Sequence, residues 1–322
     1  MIKVGVLRGG ISNQYHQSLK TGERVLKLLD TKKYQPIDIF VDMEGVWHIN
    51  GRPISPVEII KKVDIIFNAM HGNIGEDGKV AQFLSAINIP HTSSSALSGA
   101  ISQNKILAKE RAKIYGFKVP EHFLINADIY EDDEIEEVAM YYAKEIYQKI
   151  SPPWIVKPLW GADSHEVHYA ETFHRLVSIL TDALLWQTDL LVEEFIIGEE
   201  LSMASIKNFR KENIYHTFPM KIIHGDKIFF HHIKRDGLYR LVPYQAKKEE
   251  IIEKTKSLLS DLNIENYSTI DMINSRKGLY FLEINDLPNL HHEGLFEKLL
   301  ESVGVSVDEV VHHSLNQALN RD

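Results

Sequence analysis

The sequence predicts a mixed α/β fold in three parts, and three observations lead to this prediction. The first part, residues 1–91, alternates apolar runs with helical stretches, as βαβ units do. The last part, residues 189–322, contains two apolar runs that end in acidic residues and are separated by a basic turn, the pattern of a β-hairpin. Residues 92–188 mix helices with short strands, and the sequence contains no internal repeat.

Three strands are expected in the first part: IKVGVL at 2–7, QPIDIF at 35–40 and VDIIFNAM at 63–70. The third is apolar throughout, which is typical of a buried parallel strand, and it leads into the loop HGNIGEDG at 71–78 and a helix over 79–87. Strand ends of this kind present backbone N–H groups and catalytic side chains. His71 could equally cap a helix or pack in the core.

The elements of the other two parts follow from periodicity and turn residues. In the second part we expect helices at about 96–115, 133–149 and 171–185 and strands at 121–125 and 154–158. The third part begins at LLVEEF, residues 190–195, and closes on helices at about 294–302 and 306–320. The SPP at 151–153 is interpreted as a turn rather than a domain linker, because the WIVKP that follows is too apolar to lie in solvent.

The predicted hairpin carries a candidate metal site. YSTIDMI at 267–273 and FLEINDLP at 281–288 place Asp271, Glu283 and Asn285 on one face, since side chains alternate along a strand. Carboxylate and amide oxygens are the hard ligands that Mg²⁺ takes, usually together with waters and nucleotide phosphates. The alternative is a surface hairpin with solvated acids.

Composition limits the classes of protein to consider. The chain has 322 residues, 44% apolar and 25% charged, as in a globular protein of two or three domains. No run approaches ~18 apolar residues and no signal-like leader precedes the first strand, so we expect a cytoplasmic protein without a membrane span. The absence of cysteine excludes disulfides, thiolate nucleophiles and Cys-ligated metals. A net charge of −9 without a long basic run argues against nucleic acid as a partner.

Seven motifs, in order along the chain, resemble the D-alanine–D-alanine ligase family of ATP-grasp enzymes. They are RGGIS (8–12), SLKTG (18–22), HGNIGEDG (71–78), QNKILAKE (103–110), IVKP (155–158), LVEEFIIGEEL (191–201) and FLEINDLP (281–288), the last followed by GLF (294–296). The resemblance implies a three-part ATP-grasp fold whose first domain is Rossmann-like. It also implies ATP-driven joining of two D-amino acids, through an acyl phosphate, for the peptidoglycan precursor. ATP and Mg²⁺ are implied as cofactors, with two Mg²⁺ ions expected and Mn²⁺ as the alternative metal. Family members are commonly homodimers through the first domain.

The resemblance further implies roles for single residues. The nucleotide-contact positions are Lys105, Lys157, Glu193, Glu194, Ile196 and Glu200, and the metal positions are Asp271, Glu283 and Asn285. The catalytic positions are Ser12, His71 and Ser164, to which Lys234 is added as a candidate replacement cation, and the substrate positions are Gln14, Glu76, Asp77 and Gly294. Taken singly, each lysine is more simply a solvated surface side chain, and the acids of residues 193–200 a solvated edge. IVKP weakens that interpretation, because an apolar strand directs Lys157 into a crevice.

Departures from the family concentrate at the amino-acid positions. Gln14 stands where the family has the glutamate that holds the ammonium of the first substrate, so a charge-assisted hydrogen bond becomes a neutral one, roughly half as strong. Thr269 replaces the arginine that supports the developing oxyanion, a loss that can cost ~3 kcal/mol. Gly294 replaces the serine that binds the second substrate's carboxylate.

Other positions modify or compensate these losses. The flap after the strand lysine reads GADSHEV at 161–167, with Glu166 at a glycine position near the expected triphosphate. Candidates for the missing oxyanion cation are Lys234, Arg235 and Arg240, and His291 and His292 flank the altered carboxylate position.

The sequence therefore predicts an ATP-dependent carboxylate–amine ligase that resembles D-alanine–D-alanine ligase and has weakened or altered amino-acid specificity. Its substrates would be small amino acids. The alternative is a non-catalytic homologue that binds nucleotide without ligating D-alanine. A biotin-carboxylase-like or peptide-modifying ATP-grasp enzyme is a weaker candidate, because it would not need HGNIGEDG. Phosphate release from ATP that depends on a particular amino acid separates a ligase from a non-catalytic homologue.

Overall fold

The computed structural model describes residues 1–128, 134–161 and 166–321. Its first sheet has five strands in the order β4-β3-β2-β1-β5. They are β1 (Ile2–Gly9), β2 (Tyr34–Val41), β3 (Trp47–Ile49), β4 (Arg52–Ile54) and β5 (Ile65–Asn68). The expected parallel pairing is confirmed for β1 with β2 and with β5, whereas β3 and β4 add an antiparallel hairpin at the edge.

Three α-helices and one 3₁₀ helix accompany this sheet. They are α1 (Tyr15–Leu28), the 3₁₀ helix Pro56–Lys61, α2 (Asn73–Glu76) and α3 (Lys79–Ala86). Between α2 and α3 the chain turns at Gly78, where φ is +88° and a Cβ would lie 2.3 Å from the carbonyl oxygen of Ala96. The last glycine of the HGNIGEDG loop is thus required both by its backbone conformation and by the close approach of the Ala96 backbone.

The prediction of a single helix over residues 96–115 is wrong. The structure has α4 (Ala96–Gln103) and α5 (Lys105–Ile114), interrupted at Asn104. Asn104 is extended, and its side-chain oxygen accepts hydrogen bonds from the N–H groups of Ile106 and Leu107 at 3.1 and 3.0 Å. An asparagine that caps the second helix in this way ends the first.

The second sheet has four antiparallel strands in the order β6-β9-β7-β8. They are β6 (His122–Ile125), β7 (Trp154–Pro158), β8 (His168–Ala170) and β9 (Leu190–Glu194), and they pack with α6 (Ile135–Lys149) and α7 (Phe173–Leu184). Their apolar side chains, including fully buried Trp154, form a core of their own.

The third sheet has six strands in the order β13-β12-β10-β14-β15, with β11 paired to β10. They are β10 (Glu199–Phe209), β11 (Glu212–His216), β12 (Met220–His224), β13 (Tyr239–Pro243), β14 (Tyr267–Ser275) and β15 (Gly278–Asn285). The helices of this region are α8 (His231–Arg235), α9 (Lys248–Asp261), α10 (Leu295–Glu301) and α11 (Val307–Leu319). The predicted hairpin is confirmed as β14 and β15, and α4 and α5 contact β15.

One hydrophobic cluster joins the first sheet to the closing helices. Val4, Val6 and Phe67 of the first sheet share it with Leu299 of α10 and Val310 of α11. Asn68 at the end of β5 and Asp286 after β15 line one small pocket, so these two strand ends lie near each other. The division at residues 91 and 188 remains a prediction. No helix in the described ranges is long and apolar enough to cross a membrane.

Candidate functional site

The antiparallel register of β14 and β15 places the predicted metal ligands together. Asp271 lies opposite Glu283, and Thr269 lies opposite Asn285. The register shifts between Asp271 and Met272, so that a bulge follows the aspartate. Asp271, Glu283 and Asn285 line one cavity of about 950 Å³.

The pKa values of Asp271 and Glu283 are shifted in opposite directions. The Ser202 hydroxyl donates a hydrogen bond to Asp271 Oδ1 at 2.7 Å, and Lys234 Nζ lies 3.8 Å from Asp271 Oδ2. Burial raises the pKa of Asp271 to about 6; Lys234 opposes this shift and the Glu283 carboxylate adds to it. Burial would also raise the pKa of Glu283, but Lys234, Lys105 and other nearby ammonium groups lower it. Two adjacent carboxylates with only partial compensation suit a divalent cation.

A buried cluster of three lysines and one glutamate lies beside the candidate metal ligands. Glu193 forms ion pairs through both carboxylate oxygens, with Lys109 and with Lys157, each at 2.8 Å. Lys105 donates a hydrogen bond to the carbonyl oxygen of Gly161. Burial lowers the pKa of Lys105 and of Lys109 to about 8. Burial alone would raise the pKa of Glu193, but its two lysine partners lower it to about 2.

A second, smaller cavity of about 100 Å³ opens beside this cluster. Its walls are mainly apolar, formed by Ile155, Val167, Ile196, Ile222, Phe229, Met272 and Leu282. Its polar lining includes Lys157, Glu193, Glu194 and Glu200. Mainly apolar walls with a few polar groups suit a nucleotide base. We call it the nucleotide pocket.

The remaining predicted nucleotide contacts have partners within the protein. Glu200 forms an ion pair with His224 Nε2 at 3.2 Å, and burial raises the pKa of this glutamate. Glu194 accepts a hydrogen bond from the N–H of Glu121 at 3.0 Å. Ile196 packs against Ile273. All three side chains line the nucleotide pocket, and their proposed contacts with nucleotide remain predictions.

The residues predicted for the first amino-acid subsite form a buried network at the ends of β1 and β5. The Ser12 hydroxyl donates to the carbonyl oxygen of His71 at 2.8 Å. His71 Nδ1 lies 3.1 Å from Glu76 Oε1, and Gln103 donates to the other oxygen of Glu76 at 2.8 Å. Gln14 is also buried and precedes α1. The network links the loops that follow β1 and β5 to α4 through Gln103.

Two of the predicted positions stand apart from this network. Asp77 instead pairs with Lys79 at 2.7 Å, on the surface side of the loop. Ser164 lies outside the described residues.

The larger cavity, which we call the substrate cleft, separates α1 from the loop at 288–296. One face of α1 lines it, with His16, Lys20 and Arg24 one turn apart. Thr269 also lines the cleft, whereas Gly294 does not; a Cβ built on Gly294 would lie 2.9 Å from His291 Cε1. A side chain at position 294 would therefore require the His291 imidazole to shift.

Sequence reasoning missed three residues of this site, Arg24, Ser202 and Lys109. Arg24 crosses the cleft, donating to the carbonyl oxygen of Leu290 at 2.7 Å and forming an ion pair with Glu297. Ser202 orients Asp271, and Lys109 pairs with Glu193. Only Lys109 had a usable signal, since it follows Lys105 by four residues and therefore lies on the same helix face.

Comparison with known families gives one match that covers more than half of the chain. A family model described as "ATP-grasp domain" matches residues 102–288. This range includes α5, the nucleotide pocket and the β14–β15 hairpin, but not the α1 side of the substrate cleft.

Curated relatives match over the full length. The chain is 26% identical to a D-alanine–D-alanine ligase of Oceanobacillus iheyensis, over 99% of this chain and 96% of that protein. It is 27% identical to D-alanine–D-alanine ligase B of Clostridium perfringens, over 99% of this chain and 100% of that protein. The resemblance predicted from the motifs is confirmed.

Solved structures agree in fold. A D-Ala:D-Ser ligase, VanG, from Enterococcus faecalis superposes with a TM-score of 0.77 at 21% identity, over 98% of this chain and 99% of that one. A D-alanine–D-alanine ligase from Bacillus anthracis complexed with ATP gives 0.75 at 22% identity, over 99% and 98%. The predicted fold class is confirmed.

Proposed function

The chain belongs to the ATP-grasp family, and from that premise we propose that it is an ATP-dependent carboxylate–amine ligase related to D-alanine–D-alanine ligase, with altered amino-acid specificity. The observation that carries the proposal is the junction of the two cavities. Lys234, Asp271 and Glu283 line both the nucleotide pocket and the substrate cleft. A nucleotide in one cavity would thus present its phosphates to a carboxylate in the other, at the candidate metal ligands.

The proposed reaction has two steps. A carboxylate oxygen of the first substrate attacks the γ-phosphorus of ATP, which forms an acyl phosphate and releases ADP. The amine of the second substrate then attacks the acyl carbon, loses its proton and expels phosphate, leaving an amide. In this scheme Lys157, which lines the nucleotide pocket, and Lys105, which interacts electrostatically with Glu283 and Lys157, bind phosphate oxygens as ammonium groups on flexible stems can do. Lys234 stands where nucleotide and substrate meet.

We propose that Asp271, Glu283 and Asn285 hold Mg²⁺, as two ions, with Mn²⁺ as the alternative. The donor set fits, because two carboxylates and one amide oxygen line the same cavity beside the nucleotide pocket. A divalent cation bound there supplies Lewis-acid charge to the phosphate oxygens. Ser202 fixes the orientation of one ligand, since its hydroxyl donates to Asp271.

A second candidate function is a nucleotide-binding homologue without ligase turnover. Two features of the cleft favour this second candidate. No guanidinium extends from position 269, and the His291 ring lies beside Gly294. Measurement of phosphate release from ATP, with D- and L-amino acids added singly and in pairs, decides between the two. Release that requires a particular amino acid supports the ligase, and release that no amino acid stimulates supports the non-catalytic homologue.

We propose that the protein is a cytoplasmic homodimer that associates through its first part. Exposed apolar side chains in that part support an interface, namely Met43, Val46, Val57 and Ile60. Light scattering tests the state of association: a monomer mass at micromolar concentration would contradict the proposal, and Val57→Glu with Ile60→Glu should dissociate the dimer.

Replacement of Lys157 by alanine is expected to weaken ATP binding about tenfold or more while changing AMP binding much less, because the lost contact is with the outer phosphates. Calorimetry with both nucleotides measures this. Lys113→Ala is the matched control, since Lys113 lies on the exposed side of α5 and pairs with Glu110. Equal weakening of ATP and AMP by Lys157→Ala would contradict the assignment.

The affinity for ATP is expected to fall with rising pH. Burial lowers the pKa of Lys105 to about 8, so the free protein keeps this ammonium below that pH and loses it above. Since ATP binds the charged form, affinity should fall about tenfold per pH unit once the pH exceeds that pKa. Titration of ATP and adenosine from about pH 7 to about pH 9 tests this, because adenosine carries no phosphate and should bind with little pH dependence.

A further inference from the structure

Lys109 lies directly beneath the nucleotide pocket but does not line it. It follows Lys105 by one turn of α5, and its side chain is 0% exposed. Its ammonium pairs with Glu193 Oε1 at 2.8 Å and donates to the carbonyl oxygen of Leu282 at 3.0 Å. A fully buried lysine is costly unless it is paired in this way, and no part of it can touch a nucleotide.

The contacts of Lys109 join the elements that carry the nucleotide-contact residues. Glu193 is on β9, and its second oxygen pairs with Lys157 of β7 at 2.8 Å. Leu282 immediately precedes Glu283 on β15. Lys109 itself belongs to the helix that begins at Lys105. One ammonium thus connects α5, β9 and β15, and reaches β7 through the shared carboxylate.

We propose that Lys109 is a positioning residue that keeps Lys157 available to phosphate by sharing the charge of Glu193. This inference rests on the proposed function and identifies a residue that the sequence comparison with the family did not assign. The Glu193 carboxylate divides its interaction between two ammonium groups, so Lys157 feels only part of its attraction. Without Lys109, the whole carboxylate charge acts on Lys157 and draws its ammonium away from the nucleotide pocket.

The balance of charge points in the same direction. The ammonium groups of Lys105, Lys109, Lys157 and Lys234 lie among five carboxylates, those of Glu193, Glu194, Glu200, Asp271 and Glu283, so the acids exceed the lysines by one (5 − 4 = 1). Removal of Lys109 raises that negative excess to two at a place where a triphosphate is expected. A merely structural lysine would instead affect every ligand of the pocket, or only the stability of the protein.

The test compares ATP and AMP binding to the full chain by calorimetry, in the presence of magnesium. Lys109→Met keeps the length and apolar stem and removes the charge. We expect ATP to bind about tenfold more weakly and AMP to change less than about twofold, since AMP lacks the outer phosphates. Lys113→Met, on the exposed side of the same helix, is the matched control for loss of a lysine charge and should leave both affinities unchanged.

A second comparison tests the connection through Glu193. The double variant Lys109→Met with Glu193→Gln frees Lys157 from the carboxylate, so it should bind ATP more tightly than Lys109→Met alone. If Lys109→Met does not fold, the double variant is compared with Glu193→Gln, and the two should show the same ratio of ATP to AMP affinity.

Three results would overturn the inference: equal loss of ATP and AMP affinity in Lys109→Met, no loss in that variant, or a lower ATP-to-AMP ratio in the double variant than in Glu193→Gln. Failure of the wild-type protein to bind ATP at all would instead overturn the proposed function. The two failures are therefore distinguishable.

Discussion

Replacement of Glu283 by glutamine is expected to reduce magnesium-dependent ATP turnover at least about a hundredfold, because even the groups that only orient metal ligands contribute about 10- to 100-fold. Glu283 lies opposite Asp271 on the paired strands, and both carboxylates line the cavity junction. The amide keeps the size of the side chain and removes its charge. Phosphate release and magnesium-dependent ATP binding measure the effect.

Glu110→Gln is the matched control for Glu283→Gln. Glu110 lines neither the nucleotide pocket nor the substrate cleft, and it is exposed and pairs with Lys113 on α5. The same chemical change there should leave turnover within about twofold, as surface ion pairs contribute little. ATP binding that persists unchanged in Glu283→Gln and in excess chelator would show that the hairpin is only structural.

The wild-type chain is expected to be a poor D-alanine ligase, with a kcat/KM for D-alanine about two to four orders of magnitude below that of an efficient enzyme. Two missing substrate contacts at ~1 to 3 kcal/mol each account for such a loss. The positions are Gln14, Thr269 and Gly294, where the family has a glutamate, an arginine and a serine. Formation of D-alanyl-D-alanine at about ten turnovers per second, the median for enzymes, would contradict this expectation.

Restoration of the family residues should have unequal effects, and the structure gives the order. Thr269→Arg should recover most, because position 269 lines the substrate cleft beside Asn285 and a guanidinium can extend into it. Gln14→Glu should recover less, since residue 14 is buried and an added charge there is costly. Gly294→Ser should recover least by itself, because its Cβ would lie 2.9 Å from the His291 ring, which must shift to make room.

The double variant Gly294→Ser with His291→Ala removes that collision. It should raise activity with D-alanine above that of either single variant, and His292→Ala, at a side chain that is 83% exposed, is the matched control. Equal rates in the single and double variants would show that position 294 does not contact the second substrate.

Much of the fold was predictable from the sequence because local pattern and tertiary environment agree. The apolar VDIIFNAM became the buried strand β5, and the alternating runs around Asp271 and Glu283 became a hairpin. The edge hairpin β3–β4 was missed, since its three-residue strands WHI and RPI are too short for a period to show. The break at Asn104 was missed because its capping role is visible only once α5 is seen to start there.

The location of the site was easier to predict from the sequence than the contacts between its residues. The motifs placed Lys105, Lys157 and Glu193 near one nucleotide, and the structure brings them into one buried cluster. That Glu193 faces two lysines depends on strand pairing across long sequence separations, which no local pattern records. Lys109 illustrates the difficulty: a lysine on a polar helix is expected to be solvated, and only the carboxylate of a distant strand makes its burial acceptable.

The four-stranded sheet and the rest of the molecule differ in how their cores are shared. Trp154, Leu180 and Val192 belong to a core confined to that sheet and its two helices, whereas the first sheet shares its core with α10 and α11. Side chains in a common core lose their contacts together, so the first sheet and the closing helices should exchange their amide hydrogens as one cooperative unit. For the same reason we expect the four-stranded sheet, which carries Lys157 and Glu193, to open separately from that unit. Its protection against exchange then reports nucleotide occupancy separately from global unfolding.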